Sequence, residues 1–243
     1  MTRPQLLLVA HGTRNPRGVD MIASLADAVA GRVGPTRVAF VDVLGPSPAE
    51  VLRDSSHPTV LVPAFLASGY HVHSDVPQEV EASGHTAVSV TRALGPDPIL
   101  AQVLVQRLEA AGWRPGDAVV LAAAGSSDPR ALRDVRSAAR MLSSLVRTTV
   151  RIAYVATGSP RVPEVVDTLR AQGARRVFIA SYLLAPGLFH ARLADAGADG
   201  VAAPLGVTDS IVDLLAQRYH EGARLVGGPA APVCLSGGPN RQK

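Results

Sequence analysis

Leu7-Leu-Val-Ala-His-Gly-Thr-Arg-Asn-Pro-Arg17 and Val120-Leu-Ala-Ala-Ala-Gly-Ser-Ser-Asp-Pro-Arg130 are one passage written twice. Gly12 falls on Gly125, and Asn15-Pro-Arg17 on Asp128-Pro-Arg130, at one constant offset. Gly45 falls on Gly158 at that offset, and Glu50-Val on Glu164-Val after a one-residue gap. Val62-Pro-Ala-Phe-Leu66 then resembles Ile179-Ala-Ser-Tyr-Leu183. A self-similarity of this length means one supersecondary unit built twice in tandem. Around the repeats, short apolar runs at 6–10, 37–43, 59–65, 86–91, 118–123, 149–155 and 176–182 read as strands. Apolar positions three and four apart at 19–32, 98–111, 130–146, 162–172 and 209–224 read as helices. Strands with little polar alternation, separated by helices, predict parallel sheets covered on both faces. The expected fold class is therefore α/β, with two tandem doubly wound parallel-sheet lobes at 1–113 and 114–226. The join is expected near 112–116, and the aperiodic Gly- and Pro-rich segment 227–243 is expected to be a disordered tail.

Composition narrows the function. Aromatic residues are only 4% of the chain while apolar residues reach 47%, so the core must be built from Ala, Val and Leu. The 24 Lys and Arg against 20 Asp and Glu leave +4, and the arginines are scattered singly, which argues against nucleic acid and suits a small polyanionic ligand. One cysteine, Cys234, excludes a disulfide framework and a cysteine metal cage. The apolar start is too short for a secretory leader, and no run reaches the roughly 18 residues that cross a bilayer, so a cytoplasmic protein without membrane contact is expected. No Gly-x-Gly-x-x-Gly, Walker loop or Gly-x-Ser-x-Gly elbow is present, which leaves nucleotide dependence and serine hydrolysis without support.

The candidate chemistry gathers at two predicted strand ends. His11 closes the first strand and precedes Gly12-Thr13, which places it at the carboxyl edge where open α/β sheets hold ligands. Its alternative role is a strand-end histidine satisfied by a backbone carbonyl. Behind the third strand, Phe65-Leu-Ala-Ser-Gly-Tyr-His-Val-His-Ser-Asp-Val-Pro77 brings His71, His73 and Asp75 to the same edge. Imidazole nitrogen suits first-row divalent metals, and Asp75 could complete or orient such a site. Asp75 before Val76-Pro77 also fits a helix cap, the reading preferred for it here. Asp42, an acid in the apolar second strand, is either a cleft-facing ligand or a loop anchor before Gly45-Pro-Ser-Pro48. In the second copy His11 becomes Ala124, and His71 falls opposite Phe189 or His190, so the first half reads as active and the second as its degenerate partner.

Leu7-Leu-Val-Ala-His-Gly-Thr-Arg14, the strand Ala39-Phe-Val-Asp42, and Pro63-Ala-Phe-Leu-Ala-Ser-Gly-Tyr-His71 followed by Asp75-Val-Pro77 resemble the sirohydrochlorin chelatase family, in its long fused two-lobe form. The resemblance implies an ATP-independent enzyme that inserts a divalent metal into sirohydrochlorin, with no organic cofactor. The metal is a substrate, Fe²⁺ or Co²⁺ with Ni²⁺ as a further candidate, on the way to sirohaem or cobalamin. It implies a cleft between lobes and a monomer whose internal repeat replaces a dimer. His11 and His71 carry over as the residues that bind the metal and accept pyrrole protons, with Asp42 and His73 as further metal candidates. Asp42 stands where relatives often carry Glu, and His73 lies beyond the family pattern. Gly12, Thr13, Arg14 and Arg17 after the first strand, with Ser68, Gly69 and Tyr70 after the third, are the expected substrate contacts. The competing reading is a non-catalytic cobalt or nickel carrier on the same fold, which would bind metal without binding tetrapyrrole.

Overall fold

The computed structural model describes residues 3–226. The tail expected at 227–243 lies outside the described residues. The chain forms two four-stranded sheets, all strands parallel. The first runs β2-β1-β3-β4, from β1 (Gln5–Ala10), β2 (Thr36–Phe40), β3 (Thr59–Pro63) and β4 (Val88–Val90). The second repeats that order as β6-β5-β7-β8, from β5 (Ala118–Gly125), β6 (Arg151–Thr157), β7 (Val177–Tyr182) and β8 (Gly200–Val201). The α/β class and the doubled lobe hold.

Both first strands are apolar because both of their faces are covered. Along β1, Leu6, Leu8 and Ala10 join the main core, while Leu7 and Val9 join a smaller cluster on the opposite face, as the two-residue period of a strand requires. Along β5, Val119, Leu121 and Ala123 enter the main core and Val120 and Ala122 the outer cluster. The main core is filled by α1 (Pro16–Val33), α4 (Pro98–Ala110), α5 (Pro129–Val146) and α8 (Asp209–Ala223). The outer faces are closed by α2 (Pro48–Arg53) and α3 (Val76–Ser83) on one sheet and, on the other, by α6 (Val162–Ala171) with Leu193 and Ala196 after the short α7 (Leu188–Ala191).

The halves exchange their last helices. Helix α4, which ends the first half in sequence, packs against α5 and β7; α8, which ends the second, packs against α1, β3 and β4. Two related passages, Leu94-Gly-Pro-Asp97 and Leu205-Gly-Val-Thr208, lead into these helices. Arg218 on α8 donates to the carbonyl of Leu94 at 3.3 Å, and Arg107 on α4 donates to that of Leu205 at 2.9 Å. Each arginine thus grips the other half's entry turn. Arg218 is fully buried and also pairs with Asp97 at 2.8 Å. The strands of the first sheet all precede those of the second along the chain, whereas the helices that fill the main core are interleaved between them.

Element ends depart from the sequence reading where the chain turns early. β2 stops at Phe40 and β3 at Pro63, because residues 41–45 and 64–70 leave the sheet to form the loops of the site. The loop expected after Gly45 contains α2, whose six residues are too few to show a period but start on a capping box, Ser47 with Glu50. Its counterpart survives in the repeat: Glu164 accepts from the Arg161 amide at 2.9 Å, as Glu50 does from that of Ser47 at 2.7 Å.

Candidate active site

His11 leaves the end of β1 at the carboxyl edge, where β1 lies between β2 and β3 and the strand order reverses. It is held through its backbone: its carbonyl accepts from the Asp42 amide at 3.0 Å. Gly12 then turns at φ +96°, and a Cβ there would sit 2.1 Å from the Asp42 carbonyl oxygen, so only glycine lets the two loops close on each other. Gly125 repeats the device with φ +100° and a notional Cβ 1.8 Å from the Thr157 carbonyl. The imidazole of His11 is exposed.

His71 opens a single π-helical turn, His71–Asp75, in which the Val76 amide reaches back to the His71 carbonyl. Such one-turn π segments recur at functional sites. Here the turn sets Asp75 against His71, with Nδ1 2.5 Å from Oδ2. A carboxylate has no proton to give, so in the neutral ring Nδ1–H donates and Nε2 keeps its lone pair for another partner. The Phe65 ring stacks beside His71 at 6.0 Å and 22°, and Tyr70 meets it edge-on at 6.0 Å. Asp75 was expected chiefly as a helix cap; its side chain caps nothing, and the backbone there is already helical. Its carboxylate is engaged by the imidazole one turn back.

The rings of His11 and His71 meet edge-to-face with centroids 4.6 Å apart. A metal–nitrogen bond of about 2.1 Å puts a ring centre about 3.2 Å from the ion, so two imidazoles roughly at right angles around one ion have centres about 4.5 Å apart. The observed pair has that spacing. Among the described residues no group of three or more His, Cys, Asp or Glu side chains converges. What converges at this edge is a pair of imidazoles.

The other expected residues fall around this pair in different ways. Asp42 lies beyond β2 in the bend, exposed, and its Oδ1 accepts from the Val43 amide at 2.7 Å, which is the loop-anchor reading. His73 is exposed on the π-helical turn and sits near Asp128, whose carboxyl is held below its usual range chiefly by hydrogen bonds from Arg130, with a smaller contribution from His73. Thr13 accepts from the Asn15 amide at 3.1 Å, and Asn15 caps α1 by accepting from the Arg17 amide at 3.0 Å. Arg14 and Arg17 are exposed and make no ion pair among the described residues. Ser68 and Gly69 are drawn toward the second lobe, and Tyr70 stays 58% exposed beside His71. In the second copy, Ala124 stands where His11 does, and His190 donates Nε2–H to the Ala202 carbonyl at 3.2 Å. Surface depressions beside Asp213, Gln217 and His220, and beside Arg151, Pro160 and Glu164, lie away from the histidine pair. Sequence reasoning missed Phe65 as a ring partner of His71; its place in the apolar run ending the third strand made it look like core.

The chain is thus a doubled parallel α/β protein with paired imidazoles at the switch point of its first sheet. The family model CbiX matches residues 5–111 and again 118–222. The chain belongs to this family, the sirohydrochlorin chelatases whose motifs it resembles. It is 27% identical over 196 residues to a sirohydrochlorin ferrochelatase of Bacillus subtilis, covering 75% of each chain. It is 28% identical over 130 residues to a sirohydrochlorin cobaltochelatase of Methanothermobacter thermautotrophicus, covering 44% of this chain and 91% of that one. Among solved structures, SirB from Bacillus subtilis with Fe³⁺ superimposes with a TM-score of 0.79 at 22% identity, over 91% of this chain and 96% of that one. That likeness concerns the fold. No helix among the described residues is long and apolar enough to cross a membrane.

Proposed function

We propose that this protein inserts a divalent metal ion, Fe²⁺ or Co²⁺, into sirohydrochlorin without ATP, for sirohaem or cobalamin formation. The observation that carries the reading is the His11–His71 pair at 4.6 Å with Asp75 on Nδ1 of His71. Insertion exchanges two pyrrole protons for one divalent ion, so the charge of the macrocycle is unchanged while its nitrogens must be stripped of hydrogen. A neutral imidazole, with an ordinary pKa of about 6.5, can hold the ion or take a proton at cellular pH. Asp75 fixes the His71 ring through Nδ1, leaves Nε2 to take a proton, and sets a carboxylate beside the cation that results. His71 is therefore the proton acceptor, and His11, exposed at the strand end, is the arm that hands over the ion. The carboxylates around the macrocycle suit the exposed Arg14 and Arg17 at the entry to α1. Gly12, Thr13, Ser68, Gly69 and Tyr70 border the same edge, and Asp42 and His73 stand as outer candidates for capturing the ion. One chain supplies both lobes, so it works as a monomer in the cytoplasm, with no nucleic acid or membrane partner.

The test is an anaerobic titration of the purified protein with sirohydrochlorin and Fe²⁺, Co²⁺ or Ni²⁺ in parallel, followed by absorbance. Metal-dependent spectral conversion faster than the protein-free control is expected with Fe²⁺ or Co²⁺. Metal binding with no conversion would make the protein a carrier.

A further inference from the structure

The loop that delivers His71 is held by the other half of the chain. Leu66 offers its carbonyl to the Tyr182 hydroxyl, which donates at 2.7 Å from the end of β7. Two residues on, the Ser68 amide donates to Asp134 Oδ2 on α5, again at 2.7 Å. Gly69 then passes so close to α5 that a Cβ there would lie 3.3 Å from the Ala131 Cβ. Tyr182 is 3% exposed, and burial pushes its phenol upward from the ordinary range, so it remains a donor at any physiological pH. The repeat places Tyr182 opposite Phe65, the residue whose ring stacks beside His71. The same strand-end position therefore carries a ring for the imidazole in one half and a hydroxyl for the opposing loop in the other.

We propose that Tyr182 and Asp134, in the half without a histidine pair, are positioning residues that fix the loop carrying His71 at the separation from His11 that one metal ion needs. This rests on the metal-insertion reading. Two hydrogen bonds and a close glycine contact restrain residues 66–69 from both sides, and the π-helical turn carries that restraint directly into His71. Loss of either bond leaves the imidazole in place but lets it wander, and misplacement by a fraction of an ångström weakens shared coordination more than it weakens the fold.

The experiment compares Tyr182→Phe, Asp134→Ala and their double variant with wild type in Co²⁺ insertion, and follows the His71 imidazole by ¹H–¹⁵N NMR. The double variant is expected to raise the KM for Co²⁺ by about tenfold and to broaden or shift the His71 ring signals. Asp134→Asn, which keeps an oxygen able to accept from Ser68, should restore the wild-type values. Ile211→Val, a core change in α8 away from this loop, serves as the stability control and should leave KM unchanged. Wild-type KM and ring signals in the double variant overturn the proposal, as does an equal rise in KM from Ile211→Val. Should the proteins fail to insert metal at all while the ring signals still respond, the insertion reading falls and the positioning role stands.

Discussion

The two halves build the same strand, glycine turn and capped helix, yet only one ends in a pair of imidazoles. His11 and His71 face each other across the edge of the first sheet; at the matching edge Ala124 has no ring and His190 is spent on the Ala202 carbonyl. What has been kept in the second half is backbone geometry and inter-half contact: Gly125 repeats Gly12, Glu164 repeats Glu50, and Arg107 mirrors Arg218. Duplication thus separates tasks that a single lobe would have to combine. On the proposed function, one copy keeps the chemistry and the other braces it.

The sharpest break of that asymmetry is His11→Ala with His71→Ala. Insertion is expected to fall by about a thousandfold or more, while thermal unfolding shifts little because neither ring is buried. Equal loss from replacing His190 would erase the distinction between the halves. Next comes the exchange of helices. Arg218→Ala leaves the buried Asp97 with only the exposed Arg92, 3.9 Å away, and should cost about 3 kcal/mol in denaturant unfolding. Arg107→Ala, whose arginine meets only the Leu205 carbonyl, should cost about 1 kcal/mol. Equal costs would show that the two crossings are locked alike. Asp75→Ala comes between these, with metal affinity reduced about 10–100-fold by calorimetry and little change in melting. Smallest is Ala124→His, which restores a ring to the second half but leaves His190 hydrogen-bonded; no second metal ion should bind per chain. Two bound ions would show that the second half is dormant rather than remodelled.

How much of this could be read beforehand follows from distance along the chain. His11 and His71 were legible because each closes a motif at a strand end, and parallel order sends such ends to one edge. The role of Asp75 was obscured because Asp before Val-Pro is also the pattern of a helix cap, and the π-helical turn that redirects it has no sequence period of its own. Asp42 was placed in a strand that ends two residues earlier, since the apolar run continues into the bend through Val41 and Val43. The helix exchange was invisible for a different reason. α4 and α8 show amphipathic patterns that state only that a face is buried, never against which half. Tyr182 and Asp134 lie 116 and 66 residues from their partners, so only the folded chain brings them to the loop of His71.

The most direct measurement is a crystal of the protein soaked anaerobically with Co²⁺ and read by anomalous scattering at the cobalt edge. One peak per chain is predicted, within about 2.2 Å of a ring nitrogen of both His11 and His71. Cobalt bound to only one of these rings, or collected at His190 with the pair left empty, would contradict the account.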